Sequence, residues 1–241
     1  MVQLETLLAR DDEDLETYKK RLESRVRVFN DPNYKKITDI VDRECIEKLY
    51  QFSPDLIAVT FAKEHLPFWH PAVTVIDESG FAFIEMQKSF ESTRVFLGYG
   101  IEEVLAHEAL HVFRADLSGD RFEEILAYQS SNSSFRRRLG PIFRFMWEPW
   151  LFFLTLIPPF LSLWGMLFPV LFFLWRGVIL QRDMKIFQRA LKQTRSLGAL
   201  VRMTEEEIIL FGTKENKVLK QFIQKQNSLR WQQIKKFIIA R

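Results

Sequence analysis

Two of the chain's four histidines fall in one pentapeptide, His107-Glu108-Ala109-Leu110-His111, at a spacing that suits metal chemistry. On a helix, residues i and i+4 share one face about a turn apart, so both imidazoles can reach one ion. Glu108 lies one position further round, within reach of a water at the ion's open position. Two neutral nitrogen ligands, a carboxylate base and a site for water make up the zinc-hydrolase arrangement. The pentapeptide also fits a surface helix with two solvated histidines, so its setting decides.

That setting is helical. Ile101, Val104, Leu105, Ala109, Leu110 and Phe113 recur near 3.6-residue spacing, and no Pro or Gly interrupts residues 101–118. Gly98 and Gly100 bracket the start and Gly119 ends the run. After the break, Asp120 through Tyr128 shows another helical pattern. Asp120 followed by Glu123 reads as an N-cap with its capping-box partner, which leaves Glu124 to face the first helix as a third ligand.

A helix-turn-helix with HExxH on one arm and Glu on the other is the ligand plan of the gluzincin metallopeptidases. The stretch Glu124-Ile125-Leu126-Ala127 resembles the ExxA pattern of membrane-embedded peptidases of the Ste24 and HtpX type. The resemblance covers His107 to Tyr128, roughly a tenth of the chain. It implies a zinc site of His107, His111 and Glu124, with Glu108 as catalytic base. Those peptidases usually carry an Asp four residues after the ligand Glu, where it orients a zinc-bound histidine; here that position is Tyr128. A phenol there can accept from an imidazole N–H or donate to a reaction oxyanion, so Tyr128 joins Glu108 as a catalytic candidate.

The elements that must position these residues differ in texture along the chain. Residues 12–30 and 34–51 read as two helices split by Asn30-Asp31-Pro32-Asn33. Short β-rich runs follow at 56–61, 72–76 and 81–86, with Asp77-Glu78-Ser79-Gly80 as a hairpin turn between the last two. A small sheet ahead of an HExxH helix suits a zincin, and the resemblance implies that its edge strand binds extended substrate. His65 and His70 lie in a loop near this sheet and are read as loop histidines. Arg114 is read as solvated or ion-paired, while Glu102 and Glu103 complement the helix N-terminus.

From Pro149 to Trp175 no residue is charged, a run long enough to cross a bilayer. Pro158-Pro159 interrupts it near the middle. Arg136, Arg137, Arg138 and Arg144 precede it and Arg176, Arg182 and Lys185 follow, so both ends favour the cytoplasmic side. A helical hairpin dipping into the bilayer satisfies both the prolines and the charges; a single kinked span is the alternative. Beyond it, Met184 to Leu197 continues as a basic helix, and Thr204 with Glu207 forms a capping box. From Lys214 to Arg241 eight Lys/Arg face one acid, Glu215. An apolar stripe including Leu219, Phe222, Trp231 and Ile234 suggests that this tail lies on anionic headgroups.

The net charge of +3 is too small to imply nucleic acid, and the lone Cys45 rules out an internal disulfide. The start of the chain is expected to carry no secretory signal. The fold class expected is α+β, mostly helical. A zincin-like unit (small β-sheet, HExxH helix and Glu-bearing helix) is interrupted or followed by a hydrophobic membrane hairpin and a basic helical tail. The expected regions are N-terminal helices (1–52), the metal-site region (53–135), the membrane hairpin (141–181) and the basic amphipathic C-terminal region (182–241). The expected activity is a membrane-anchored, Zn2+-dependent peptidase with its site facing the cytoplasm, acting on peptide or protein substrates at or near the bilayer. The alternatives are a non-catalytic membrane scaffold and a zinc-dependent amide or ester hydrolase.

Overall fold

In the computed structural model, which describes residues 6–62, 66–67, 70–96, 98–117, 119, 121–145, 147–160 and 162–239, the first helix starts at Asp14. The Asp14 carboxylate accepts a hydrogen bond from the Thr17 amide, satisfying one amide at the start of α1 (Leu15–Phe29). The helix expected over 34–51 is corrected. Lys35 and Lys36 instead form a two-residue strand, β1 (Lys35–Lys36), and only α2 (Glu44–Tyr50) is α-helical. The backbone of Lys35 and Lys36 pairs with Ala58 and Val59, and the Asp42 carboxylate accepts from the Glu44 amide, so helix begins only after it. Strand pairing at one end and an Asx turn at the other override the helical spacing of the apolar residues.

The expected strands appear as β2 (Ala58–Phe61), β3 (Ala72–Ile76) and β4 (Ala82–Met86). The Asp77–Gly80 turn makes β3 and β4 a hairpin, its Asp77 carboxylate accepting from the amides of Ser79 and Phe81. β4 also pairs in parallel with β2, giving the order β1-β2-β4-β3 and leaving β3 at an edge. A two-stranded ribbon, β5 (Val95–Phe96) and β6 (Tyr99–Gly100), leads into α3 (Ile101–Arg114). α4 (Glu123–Ala127) follows, then α5 (Ser134–Leu139). The chain is mostly helical, at 61 %, so this mixed sheet is a minor layer against which α3 packs.

The apolar segment reverses direction. α6 (Glu148–Thr155) ends ahead of Pro158, and α7 (Leu167–Thr194) runs back along it, with Phe152 and Phe173 ring centroids 4.6 Å apart. Residues Leu163–Thr194 form one helix long and apolar enough to cross a membrane. Only 22 % of its most apolar window is buried, so this half of the helix is not a core element. Phe160, Leu163 and Trp164 near the turn are almost fully exposed.

One stripe of α7 is nonetheless buried from end to end: Phe172, Arg176, Leu180, Asp183, Phe187, Ala190 and Thr194. Its two charges are matched. Arg176 pairs with Glu148 at 2.8 Å and donates to the Ile142 carbonyl; Asp183 accepts from Arg121 at 2.5 Å and also pairs with Arg144. α8 (Leu197–Leu200), α9 (Glu205–Thr213), α10 (Asn216–Lys225) and α11 (Leu229–Ile239) then return to the body of the protein. The Thr204–Glu207 capping box that starts α9 is present in both directions.

The tail does not spend its apolar stripe on a membrane. Leu219, Trp231 and Ile234 are buried in the same core as Leu105 and Leu110 of α3 and Val59 and Ile84 of the sheet. Regions 53–135 and 182–241 therefore share one core, with the hairpin inserted between them. Burial of Arg230 is offset by Glu207, whose carboxylate accepts from both of its terminal nitrogens (2.7 and 2.8 Å) and from the Trp231 indole N–H at 2.8 Å. Removing one partner of a buried pair leaves the other charge uncompensated. Glu207→Ala should therefore destabilise the protein by about 3–5 kcal/mol in denaturant unfolding; a change within experimental error would contradict a structural role for the tail.

Candidate metal centre

α3 delivers three of the expected residues. Its underside, including Leu105, Ala109 and Leu110, is fully buried, so His107 and His111 occupy the flank that lines a cavity. Their Nε2 atoms are 3.3 Å apart. After α3 the chain turns at Gly119, whose φ of +106° is a left-handed conformation that a side chain would strain. The short α4 then lies against α3, anchored by buried Phe122, Ile125, Leu126 and Ala127. The Tyr50 hydroxyl donates to the Leu126 and Ala127 carbonyls, satisfying acceptors at the end of this helix.

With α4 so placed, Glu124 Oε2 is 3.6 Å from His107 Nε2 and Oε1 is 3.4 Å from His111 Nε2. His107, His111 and Glu124 each offer one ligand atom within 4.8 Å of the others. Donors about 2.0–2.1 Å from the centre of a tetrahedron are separated by about 3.3–3.4 Å; the two imidazole nitrogens match this, and each approaches a different oxygen of Glu124 at a similar distance. Two imidazole nitrogens and a carboxylate are a donor set that could hold a divalent first-row metal ion.

Glu123 has a different job from the capping role expected of it. The N-cap position of α4 is Phe122, without a side-chain cap, and Asp120 lies outside the described residues. Glu123 Oε1 instead lies 2.8 Å from His111 Nδ1. An imidazole that donates Nδ1–H to this carboxylate presents its Nε2 lone pair to a metal. Glu123 thus contacts the ring nitrogen of His111 that faces away from His107 and Glu124. The pair Glu123-Glu124 in the sequence was the available sign, since adjacent side chains on a helix cannot both point at one ion.

Tyr128 stacks edge-on against His107, with centroids 4.9 Å apart and planes at 82°. A Cβ on Gly140 would come within 2.3 Å of the Tyr128 ring, so the glycine makes room for it. Burial, reinforced by the charge of Glu124, pushes the phenol well above its ordinary pKa and keeps it a neutral donor. Glu108 is held by a residue that sequence reasoning missed. Thr74 on β3 donates its hydroxyl to Glu108 Oε2 at 2.9 Å. Only its place as a polar residue between Val73 and Val75 in the expected strand pointed to it.

These groups open on a cavity of about 560 Å3 whose other wall is the edge strand β3, with His70 at its margin. Burial lowers the pKa of His70, against the raising effect of Glu108. His65 lies outside the described residues. Arg114 is not solvated, and among the described residues no carboxylate pairs with it. It is buried and donates to the carbonyls of Val201 and Met203, bracing α3 against the segment ahead of α9. At the start of α3, Glu103 pairs with Arg136 at 3.1 Å and Glu102 with Arg94 at 3.4 Å.

The two histidines are driven apart electrostatically. Burial lowers the pKa of His107, with Glu124 opposing. His111 is raised well above the ordinary value despite its burial, because Glu123 and Glu124 both accept from it. Glu124 is held low, despite burial, by His111 and His107. Below its raised pKa, a proton on His111 would compete with a metal ion for the same imidazole. No family model, curated protein or solved structure matches the chain.

Two outcomes follow. Zn2+ affinity should rise with pH up to the raised pKa of His111, with proton release visible as a dependence of binding enthalpy on buffer ionisation enthalpy. Glu123→Gln should weaken Zn2+ binding about 10–100-fold in competition with a chromophoric chelator. Unchanged affinity in that variant would remove Glu123 from the site.

Proposed function

We propose that the chain is a membrane-anchored, zinc-dependent peptidase of zincin-like design, with His107, His111 and Glu124 as ligands. The observation that carries this reading is the convergence of that ligand set with a hydroxyl-held Glu108 and a free strand edge on one cavity. Zinc held by His107, His111 and Glu124 would supply Lewis-acid chemistry, polarising a scissile carbonyl and lowering the pKa of water toward 7. Three protein donors leave coordination open for reaction, whereas a structural zinc is usually closed by four Cys or His ligands.

The chain's own residues account for the rest of the chemistry. Glu108, fixed by Thr74, takes a proton from the attacking water and passes it to the departing amine. Tyr128 donates its phenolic proton in a hydrogen bond to the oxyanion that develops on the carbonyl oxygen. An extended peptide pairing with the edge of β3 would lie along the cavity wall, beside the ligand cluster.

The hairpin supports the anchoring. A run of exposed Trp, Phe and Leu from Trp147 to Val178 far exceeds the apolar patch a soluble monomer tolerates. The break at Pro158-Pro159 and the return of α7 along α6 favour a re-entrant hairpin over a single kinked span, although α7 alone is long enough to cross. Arginines at both ends favour the cytoplasmic side for the base of the hairpin and for the site beside it.

The reading is tested with the full chain in detergent or vesicles and an unstructured protein as substrate. Glu108→Gln should keep zinc and lose at least about 100-fold in hydrolysis. Tyr128→Phe should keep zinc and lower kcat on the order of 100-fold. Zinc loss in Glu108→Gln, or unchanged activity, would overturn the assignment of Glu108 as base.

A further inference from the structure

The outward face of α7 changes character within one helical turn. Leu171, Trp175 and Val178 are exposed apolar residues on the hairpin half. Arg182, Lys185, Arg189 and Lys192 continue the stripe at steps of three and four, and all four are exposed. None of these cations has an acidic partner among the described residues. The helix's own acid, Asp183, faces inward onto Arg121 and Arg144. The same pairing recurs where the chain enters the hairpin, because α5 exposes Phe135 and Leu139 on either side of Arg138.

An apolar face that runs into cations where the uncharged segment ends matches the change from hydrocarbon to headgroups. We propose that the α7 stripe, together with Arg138, is a docking surface for anionic lipid headgroups, so that the hairpin enters an anionic leaflet in preference to a neutral one. This inference rests on the reading of the hairpin as membrane-inserted. A row of unpaired cations also suits a phosphodiester backbone. The apolar continuation of the stripe and its counterpart on α5 favour lipid, since a polynucleotide offers nothing to cover them.

Distance along the helix orders the cations. At 1.5 Å per residue, Arg182 and Lys185 lie about 6 and 10 Å beyond Val178, and Arg189 and Lys192 about 16 and 21 Å. The attraction of an anionic surface falls off within a Debye length of about 8–10 Å. With α7 upright in the leaflet, the first pair therefore does most of the work.

The test is flotation of the full chain, synthesised in a cell-free system with vesicles of phosphatidylcholine alone or mixed with phosphatidylglycerol. The fraction floated should be larger on the anionic vesicles, and the excess should shrink as salt is raised. Each Lys or Arg near the surface contributes about fivefold in affinity. Arg182→Gln combined with Lys185→Gln should therefore weaken the anionic preference by up to about 25-fold, and Arg189→Gln with Lys192→Gln by less. All four sites are exposed, and circular dichroism should confirm an unchanged fold. Equal flotation on both vesicle types would overturn the inference and leave the membrane reading standing. Failure to float on either would sink both. Binding of a fluorescent oligonucleotide that is lost in the first double variant, without vesicle charge preference, would reassign the stripe to nucleic acid.

Discussion

Two imidazole nitrogens and a carboxylate oxygen stand within 4.8 Å of one another, an arrangement that needs a cation or a proton among them. The chain keeps them there by packing α4 against α3. A left-handed turn at Gly119, four buried side chains from Phe122 to Ala127 and the Tyr50 hydroxyl on the end of α4 set that contact. Glu123 completes it by fixing the ring of His111. Without this closure the histidines would be two side chains on a helix flank, and the cavity would lose the lining that α4 provides.

Buried ion pairs extend the same constraint outward. Arg121 precedes Glu123 by two residues and is bound to Asp183 on α7, so the turn that positions the metal centre is tied to the base of the hairpin. Arg144 shares that carboxylate, and Glu148 with Arg176 closes the neck of the hairpin. On the far side of the core, Glu207 and Arg230 join α9 to α11, while Arg114 braces α3 against the segment before α9. Breaking such pairs costs more than forming them gains, which makes them specific fasteners between elements and not simple sources of stability.

The sequence carried the chemistry further than the architecture. His107, His111 and Glu124 are readable because their spacing on two short helices is local, and the structure brings all three together. The three strands and the hairpin turn at Asp77–Gly80 are readable for the same reason. Glu123 was misassigned because a Glu near a helix start has a local use as a cap, and only the distance to His111 shows that it has another. Thr74 shows in the sequence only as a polar residue in a strand, since its contact with Glu108 spans 34 residues and depends on which strand forms the edge. The helix expected over 34–51 failed because Lys35 and Lys36 pair with a distant strand. The tail's amphipathic stripe was visible, but whether it faced lipid or the core depended on tertiary packing that periodicity does not encode.

The central claim is that His107, His111 and Glu124 hold one zinc ion. Elemental analysis of the full chain, purified without added chelator from zinc-supplemented expression, tests it most directly. The account predicts about one zinc per chain, lost in both His111→Ala and Glu124→Ala. A wild-type chain free of zinc, or zinc that stays bound in those two variants, would contradict it.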